Sequence, residues 1–255
     1  MPAPGKGLAR KRAIAKAAGG GYSRASRGFA CSSKMSRFDP TLFIRANLPV
    51  AAVPGIPEIR LHRASPTSGL SRLARADEDG FRPPYWAHSW AGGLALARYV
   101  LDNPSVVAGR RVLDLGAGSG LVGIAAAKAG AREVVAAEVD RYAVAALKLN
   151  MRLNGALISI LHCDITGNGA PATDVILVGD LFYASDLSEQ IAAFLERCSN
   201  RGIRALVGDP WRACLPVSRL TELARYVVTE DGSCAMRPSG VFAFKPRPVG
   251  ARPSA

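Results

Sequence analysis

Five acidic residues stand at the ends of short apolar runs: Asp114, Glu138, Asp164, Asp180 and Asp209. The first closes the run 111–114 and opens a turn, Asp114-Leu-Gly116-Ala-Gly118-Ser-Gly120. Glycines at these positions let the backbone approach a ligand closely and take φ values that a Cβ would penalise. Glu138 follows the apolar run 133–137, about 20 residues after the turn. A carboxylate there can accept hydrogen bonds from the two hydroxyls of a ribose, since an ionised carboxylate only accepts. Strand, glycine turn, helix, strand and acid together are how an α/β protein holds a nucleoside-bearing cofactor.

Two cofactor classes compete for such a turn. A dinucleotide fingerprint reads G-x-G-x-x-G, with the pyrophosphate on the helix N-terminus. Counted from Gly116, the third glycine falls at Leu121; counted from Gly118, Gly120 and Gly123 satisfy it. The glycines therefore leave a dinucleotide open. Asp114 argues against it, because a carboxylate at the strand tip repels a pyrophosphate. S-adenosylmethionine (SAM) has no phosphate and carries an ammonium, which suits that carboxylate through a charge-assisted hydrogen bond. Asp140 is the weaker candidate for the ribose, being placed to cap the helix 141–154. Asp164, in His162-Cys163-Asp164, offers an acceptor for an adenine amino group.

The remaining two acids mark where a methyl group would emerge. Gly179-Asp180-Leu-Phe-Tyr183 and Gly208-Asp209-Pro-Trp-Arg212 each end an apolar run. Methyl transfer from a sulfonium is an in-line displacement, so the protein mainly positions the reactants. An amine acceptor must first lose a proton. A carboxylate or phenol beside it can orient it and take that proton directly or through water, which assigns Asp180 and Tyr183 to the chemistry. Aromatic walls suit an ammonium, and Trp86, Trp90, Phe182 and Tyr183 are the candidates, with core packing the alternative for Phe182. Trp86, Asp209 and Arg212 are placed on the acceptor side.

Elements that position these residues follow from the pattern. Short apolar runs at 111–114, 133–137, 158–163, 175–178 and 205–207 read as buried strands. Helical segments at 121–129 (closed by Gly130), 141–154, 186–198 and 217–224 alternate with them. Two final strands, 226–229 and 241–245, lack a helix between them and form an antiparallel hairpin at one edge. The alternation predicts a doubly wound, mostly parallel α/β sheet of seven strands, covered on both faces. Ligands in such sheets bind beyond the carboxyl ends of the strands, where the five acids fall.

Three stretches organise the chain: a basic extension (1–37), one domain with a lead-in (38–245) and a Pro/Gly-rich tail (246–255). The lead-in carries a short strand near 58–62. The segment Pro83-Pro-Tyr85-Trp86-Ala-His88-Ser-Trp90-Ala-Gly92-Gly93 enters a helix ending near Asp102. The net charge of +13 misleads: nine of the 33 Lys and Arg lie in the first 37 residues, which hold no acid. The rest is 24 basic against 20 acidic residues, which disfavours a nucleic-acid-binding surface on the folded body. Disorder is expected of the extension. A mitochondrial transit peptide, a binding arm, or an early start codon with the true start at Met35 each explain it. Five scattered cysteines and three histidines carry no metal-ligand spacing, so no metal is expected, and they fit a reducing compartment. No apolar run approaches the roughly 18 residues of a membrane span.

Taken together, the segments 83–93, 114–120, 179–183 and 208–212 resemble the seven-strand class I SAM-dependent methyltransferases, with a Rossmann-like sheet. More narrowly they resemble lysine methyltransferases with an acidic-x-x-aromatic motif, here Asp180 to Tyr183. The similarity is greatest to the family of the electron-transfer flavoprotein β-subunit methyltransferase, over about residues 40–245. The resemblance implies Asp114, Gly116, Gly118, Gly120, Glu138 and Asp164 as SAM contacts, Trp90 near the adenosine, and Asp180 and Tyr183 beside the acceptor lysine. It implies a protein substrate, the flavoprotein β subunit, and a monomeric enzyme. The enzyme is expected in the cytoplasm of a bacterium, or in the mitochondrial matrix if the extension is a transit peptide. Methylation of a nicotinamide-like small molecule or of a ribosomal protein is the alternative, and a SAM-binding module without catalysis is a third reading.

Overall fold

The computed structural model describes residues 39–77, 81–231 and 235–246. The expected basic extension, and all but the first residue of the expected tail, lie outside the described residues, as do Cys31 and Cys234. The lead-in is α1 (Pro40–Asn47), a hairpin of β1 (Val50–Val53) and β2 (Ile56–His62), and α2 (Leu70–Ala76). A 3-10 turn (Tyr85–Ala87) precedes α3 (Ala91–Asp102). The alternating part follows as β3 (Arg111–Leu115), α4 (Leu121–Lys128), β4 (Glu133–Ala137), α5 (Arg141–Asn154), β5 (Ser159–Leu161), β6 (Val175–Gly179), α6 (Ser185–Ser199) and β7 (Arg204–Asp209). Two long strands end it, β8 (Leu220–Thr229) and β9 (Met236–Phe244).

Seven strands form one sheet in the order β5-β4-β3-β6-β7-β9-β8. The first five are mutually parallel, and β9 runs antiparallel to both β7 and β8. Residues along the central strands alternate between two cores. Val112 and Leu177 join the core under α3, α4 and α5, while Leu113, Ile176 and Val178 join the core under α6. Burial on both faces explains why these strands read as continuous apolar runs.

One expected element is different. The helix expected at 217–224 is a 3-10 turn at Val217–Arg219, after which β8 begins. The local Leu-Thr-Glu-Leu-Ala-Arg sequence is built mostly of good helix formers, but propensity is worth only tenths of a kcal/mol per residue. Pairing with β9 from Leu220–Phe244 to Thr229–Met236, with one irregularity between Glu222 and Ala224, overrides it. The strand order reverses between β3 and β6, which opens a crevice at their carboxyl ends. Among the described residues no helix is long and apolar enough to cross a membrane.

Candidate cofactor and acceptor site

The crevice is a cleft of about 870 Å³. Its floor is the turn after β3. Gly116, Gly118 and Gly120 take φ of 66°, 51° and 84°. A Cβ on Gly120 would lie 2.2 Å from Leu147 and one on Gly116 2.7 Å from Leu181, so packing and backbone conformation both demand glycine there. Asp114 is buried, and its Oδ2 accepts from the Gly123 amide at 2.8 Å. A Cβ on Gly123 would stand 2.9 Å from that same oxygen. The Gly118-x-Gly120-x-x-Gly123 frame, which kept a dinucleotide open, thus has another purpose: its last glycine admits a carboxylate to the first turn of α4, where a phosphate would otherwise sit. Burial pushes Asp114 up to about 7, against the opposing pull of the Gly123 amide.

Glu138 is buried beside the turn and accepts three backbone amides: Gly118 at 2.8 Å on Oε2, and Val139 at 2.7 Å and Asp140 at 2.9 Å on Oε1. A carboxylate has roughly four acceptor sites. The remaining one, on Oε2, can take one ribose hydroxyl, and a second hydroxyl would have to replace an amide. Asp140 accepts from the Tyr142 amide at 2.7 Å and caps α5. Asp164 is exposed at the far end of the cleft. Its Oδ1 accepts the hydroxyl and the amide of Thr166, at 2.6 and 2.8 Å, and its Oδ2 accepts Gln190 at 2.9 Å. These bonds, led by the Thr166 hydroxyl, hold its carboxyl below the ordinary range.

Asp180 has the left-handed φ of 58°, with its amide on the Gly208 carbonyl at 2.9 Å. Its Oδ1 accepts Arg212 Nε at 2.9 Å and Nη2 at 2.7 Å, and its Oδ2 accepts the Gly93 amide at 3.0 Å. Burial raises its pKa, and Arg212 and the α3 amides oppose the rise. Asp209 departs from its expected place on the acceptor side. It is fully buried and does not line the cleft. Its Oδ1 accepts the Arg212 amide at 2.7 Å, closing the turn in which Trp211 takes φ 58°. Burial lifts its pKa to about 6. Trp211 packs edge-on to Phe242 and under Arg225, away from the cleft.

Aromatic residues wall the mouth. Tyr183 and Tyr85 are 49% and 51% exposed, with ring centroids 5.6 Å apart. Trp90 donates its Nε1 to the Tyr85 carbonyl at 2.8 Å, and the Arg212 guanidinium lies 6.0 Å from its ring centroid. Trp86 is buried among Ile44, Leu48 and Tyr142, and its Nε1 finds no partner among the described residues. Phe182 is wholly in the core. Partial burial, Tyr85 and Glu138 push the Tyr183 phenol up, so it stays protonated.

Four contributors escape a reading of the sequence. Tyr85 stands inside a quoted motif but shows its role only as the partner of Tyr183. Asn150 of α5 accepts the His62 amide at 2.8 Å and donates to the Ser119 carbonyl at 2.9 Å, bracing the glycine turn against β2. Glu230 accepts the Ala91 amide at 3.0 Å, and Asp231 accepts the Ser89 amide at 2.8 Å while pairing with Arg63. That acidic pair follows a strand, as the other five acids do. Its position at the same sheet edge depends on β9 inserting between β7 and β8.

The residues fit SAM. Asp114, Glu138 and Asp180 line one cleft and suit a ligand with a positively charged ammonium and sulfonium, and the first amides of α4 and α3 are already engaged by carboxylates.

Comparison with known proteins agrees. Residues 95–200 match the model of the ribosomal protein L11 methyltransferase (PrmA) family. The electron transfer flavoprotein beta subunit lysine methyltransferase of Rattus norvegicus is 39% identical over 199 residues, 74% of this chain and 78% of that one. The Homo sapiens protein of the same name is 34% identical over 223 residues, 83% and 85% of the two chains. The structure of magnesium protoporphyrin IX methyltransferase from Synechocystis with bound SAH is similar at a TM-score of 0.45 and 14% identity, covering 70% of this chain and 94% of that one. Identity at this level along most of both sequences is a family relationship: the chain belongs to the electron-transfer flavoprotein β-subunit lysine methyltransferases, enzymes that use SAM as methyl donor.

Proposed function

We propose that this enzyme methylates a lysine side-chain nitrogen of the electron-transfer flavoprotein β subunit. The observation that carries the reading is the mouth of the cleft: Tyr85 and Tyr183 stand half exposed on its rim, above the buried Asp180 carboxylate. A folded protein can present a lysine through an open aromatic rim of this kind, whereas a small molecule is better held by a closed pocket. The match to the L11 methyltransferase model starts after Trp90 and ends before Arg212, so it takes in the cofactor turn, Asp180 and Tyr183 but not the Tyr85 and Trp90 wall or the arginine that pairs with Asp180.

SAM supplies an electrophilic methyl group on a sulfonium. The chain's own residues do the rest. Asp114 and Glu138 hold the cationic and ribose ends of the donor. Tyr183, Tyr85 and Trp90 enclose the lysine methylenes and give the nitrogen a π-rich wall. Asp180 accepts a hydrogen bond from the acceptor nitrogen and aligns its lone pair, which is positioning of the kind that dominates such reactions. The proton leaves to water, since the Tyr183 phenol is itself protonated.

The test is transfer of radiolabelled methyl from SAM to purified electron-transfer flavoprotein, resolved on a denaturing gel. Label in the β-subunit band is the expected result. Label confined to another protein removes the substrate and keeps the chemistry. Label only in small molecules favours a nicotinamide-like acceptor, and binding of SAM with no label anywhere leaves a module without catalysis.

A further inference from the structure

Arg212 stands in an unusual place for a site that receives a basic side chain. Its guanidinium lines the cleft, and both Nε and Nη2 are spent on one oxygen of Asp180, at 2.9 and 2.7 Å. The other oxygen is taken by the Gly93 amide at 3.0 Å. The guanidinium has little freedom to leave. Its backbone amide is fixed by the fully buried Asp209, and Trp90 lies against it. Asp180 therefore meets the acceptor with its charge already balanced by a cation mounted in the protein.

We infer that Arg212 selects the neutral amine: it stays paired with Asp180 during the reaction and keeps the acceptor nitrogen from binding as an ammonium. A fixed positive charge disfavours a second one nearby, so the bound lysine gives up its proton at a lower pH than it would beside an Asp180 without that partner. Asp180 keeps one acceptor site, on the Oδ2 that also takes the Gly93 amide, without acting as a full counter-ion. The reacting nitrogen then offers its lone pair to the methyl group, and its displaced proton goes to solvent. Arg212 is a positioning residue that acts through Asp180.

Other charged and titratable groups line the same cleft or pack against the pair. Tyr183 and Glu138 lie on the β6 and β4 side, and Asp114 below. Tyr85 and His88 belong to the entry segment, Arg82 lies on the rim, and Asp209 lies beneath. Burial raises the Asp180 pKa and Arg212 opposes that rise, so loss of Arg212 would shift Asp180 and the acceptor amine in the same alkaline direction. The experiment must separate the two.

This inference rests on a lysine acceptor in the flavoprotein. The measurement is the pH dependence of kcat at saturating SAM and flavoprotein, for the wild type, Arg212→Gln and Arg212→Lys, with SAM binding confirming that each variant folds. Absence of label with the wild-type enzyme would overturn the proposed function. With label present, Arg212→Gln is expected to move the alkaline rise of kcat upward by about one pH unit, which lowers the rate near neutrality about tenfold. Arg212→Lys restores the position of the rise because it restores the charge, even if kcat is lower for want of the guanidinium fork. The acceptor lysine, mapped in the wild-type reaction, is then replaced by cysteine and alkylated to aminoethylcysteine, a weaker base. The rise should move to lower pH with it. A uniform loss of kcat at every pH, a faster Arg212→Gln at neutral pH, or a profile indifferent to the acceptor's basicity would each overturn the inference while leaving lysine methylation in place.

Discussion

Gly92 and Gly208 meet backbone to backbone: a Cβ built on Gly92 would lie 2.2 Å from the Gly208 carbonyl oxygen, and one on Gly208 would lie 2.1 Å from the Gly92 carbonyl oxygen. This contact lets the N-terminus of α3 sit directly on the ends of β6 and β7, so that Gly93 can donate to Asp180. Gly92→Ala is expected to destabilise the protein by roughly 1–3 kcal/mol through overpacking and to lower kcat/KM by lifting α3 off Asp180. Gly93→Ala is the control, because a Cβ there meets nothing within 4 Å. Its stability should match or slightly exceed the wild type. Urea unfolding of the two variants checks the contrast, and equal losses would refute it.

Asp114 makes stability depend on pH. Its folded-state pKa, about 7, lies above the ordinary carboxylate range. The folded protein therefore holds this proton more tightly than the unfolded chain. Stability without ligand declines as pH rises from about 4 to about 7, and the loss is complete above that. Asp114→Asn keeps an acceptor for the Gly123 amide and buries no charge. Above pH 7 the variant should be more stable than the wild type, by on the order of 1–4 kcal/mol, with no advantage below pH 4. Its SAM affinity should fall at least about tenfold, as expected for loss of a charged hydrogen bond. Unfolding at pH 4 and pH 8, with calorimetric SAM titration, reads both. A stability gain that is the same at both pH values would show that the charge is not the cause.

Asn150 braces the cofactor turn from outside the cleft. Asn150→Ala orphans the His62 amide and the Ser119 carbonyl and should cost on the order of 2–4 kcal/mol. The SAM dissociation constant should rise while KM for the flavoprotein changes little. Asn154 makes similar bonds to Arg60 at an exposed position, so Asn154→Ala should cost less than about 1 kcal/mol.

Tyr183 is expected to act as a wall and not as a base. Because its phenol is pushed up, Tyr183→Phe should keep kcat within about threefold and leave the pH profile in place. Tyr183→Ala removes the aromatic surface opposite Tyr85 and should raise KM for the flavoprotein about tenfold, with SAM binding unchanged. Steady-state kinetics decide the matter, and a Tyr183→Phe enzyme without turnover would assign the hydroxyl to the chemistry.

Much of the architecture is local and so can be read along the chain. A period of two near-continuous apolar strands, a glycine turn and the next acid are all encoded within about 30 residues, and helix α5 lies where its cap and pattern require. The segment 217–224 was misleading because its residues are mostly good helix formers, whereas the partner that makes it a strand, β9, comes after it in sequence.

By itself the sequence determined which side chains end the strands, and with them the cleft edge, the donor class and the family. Tertiary structure alone decided what each acid does there. Asp114 is taken by Gly123, Glu138 by three amides, Asp180 by an arginine 32 residues away, and Asp209 is withdrawn beneath its own turn. Glu230 reaches the first residue of α3, and Asp231 reaches Ser89 just before it, only because β9 inserts between β7 and β8. The physical reason is one of range: a strand's pattern of burial is set by its immediate neighbours in sequence, whereas a carboxylate's partner and its pKa are set by whatever strand order and crossovers bring within about 3 Å of it.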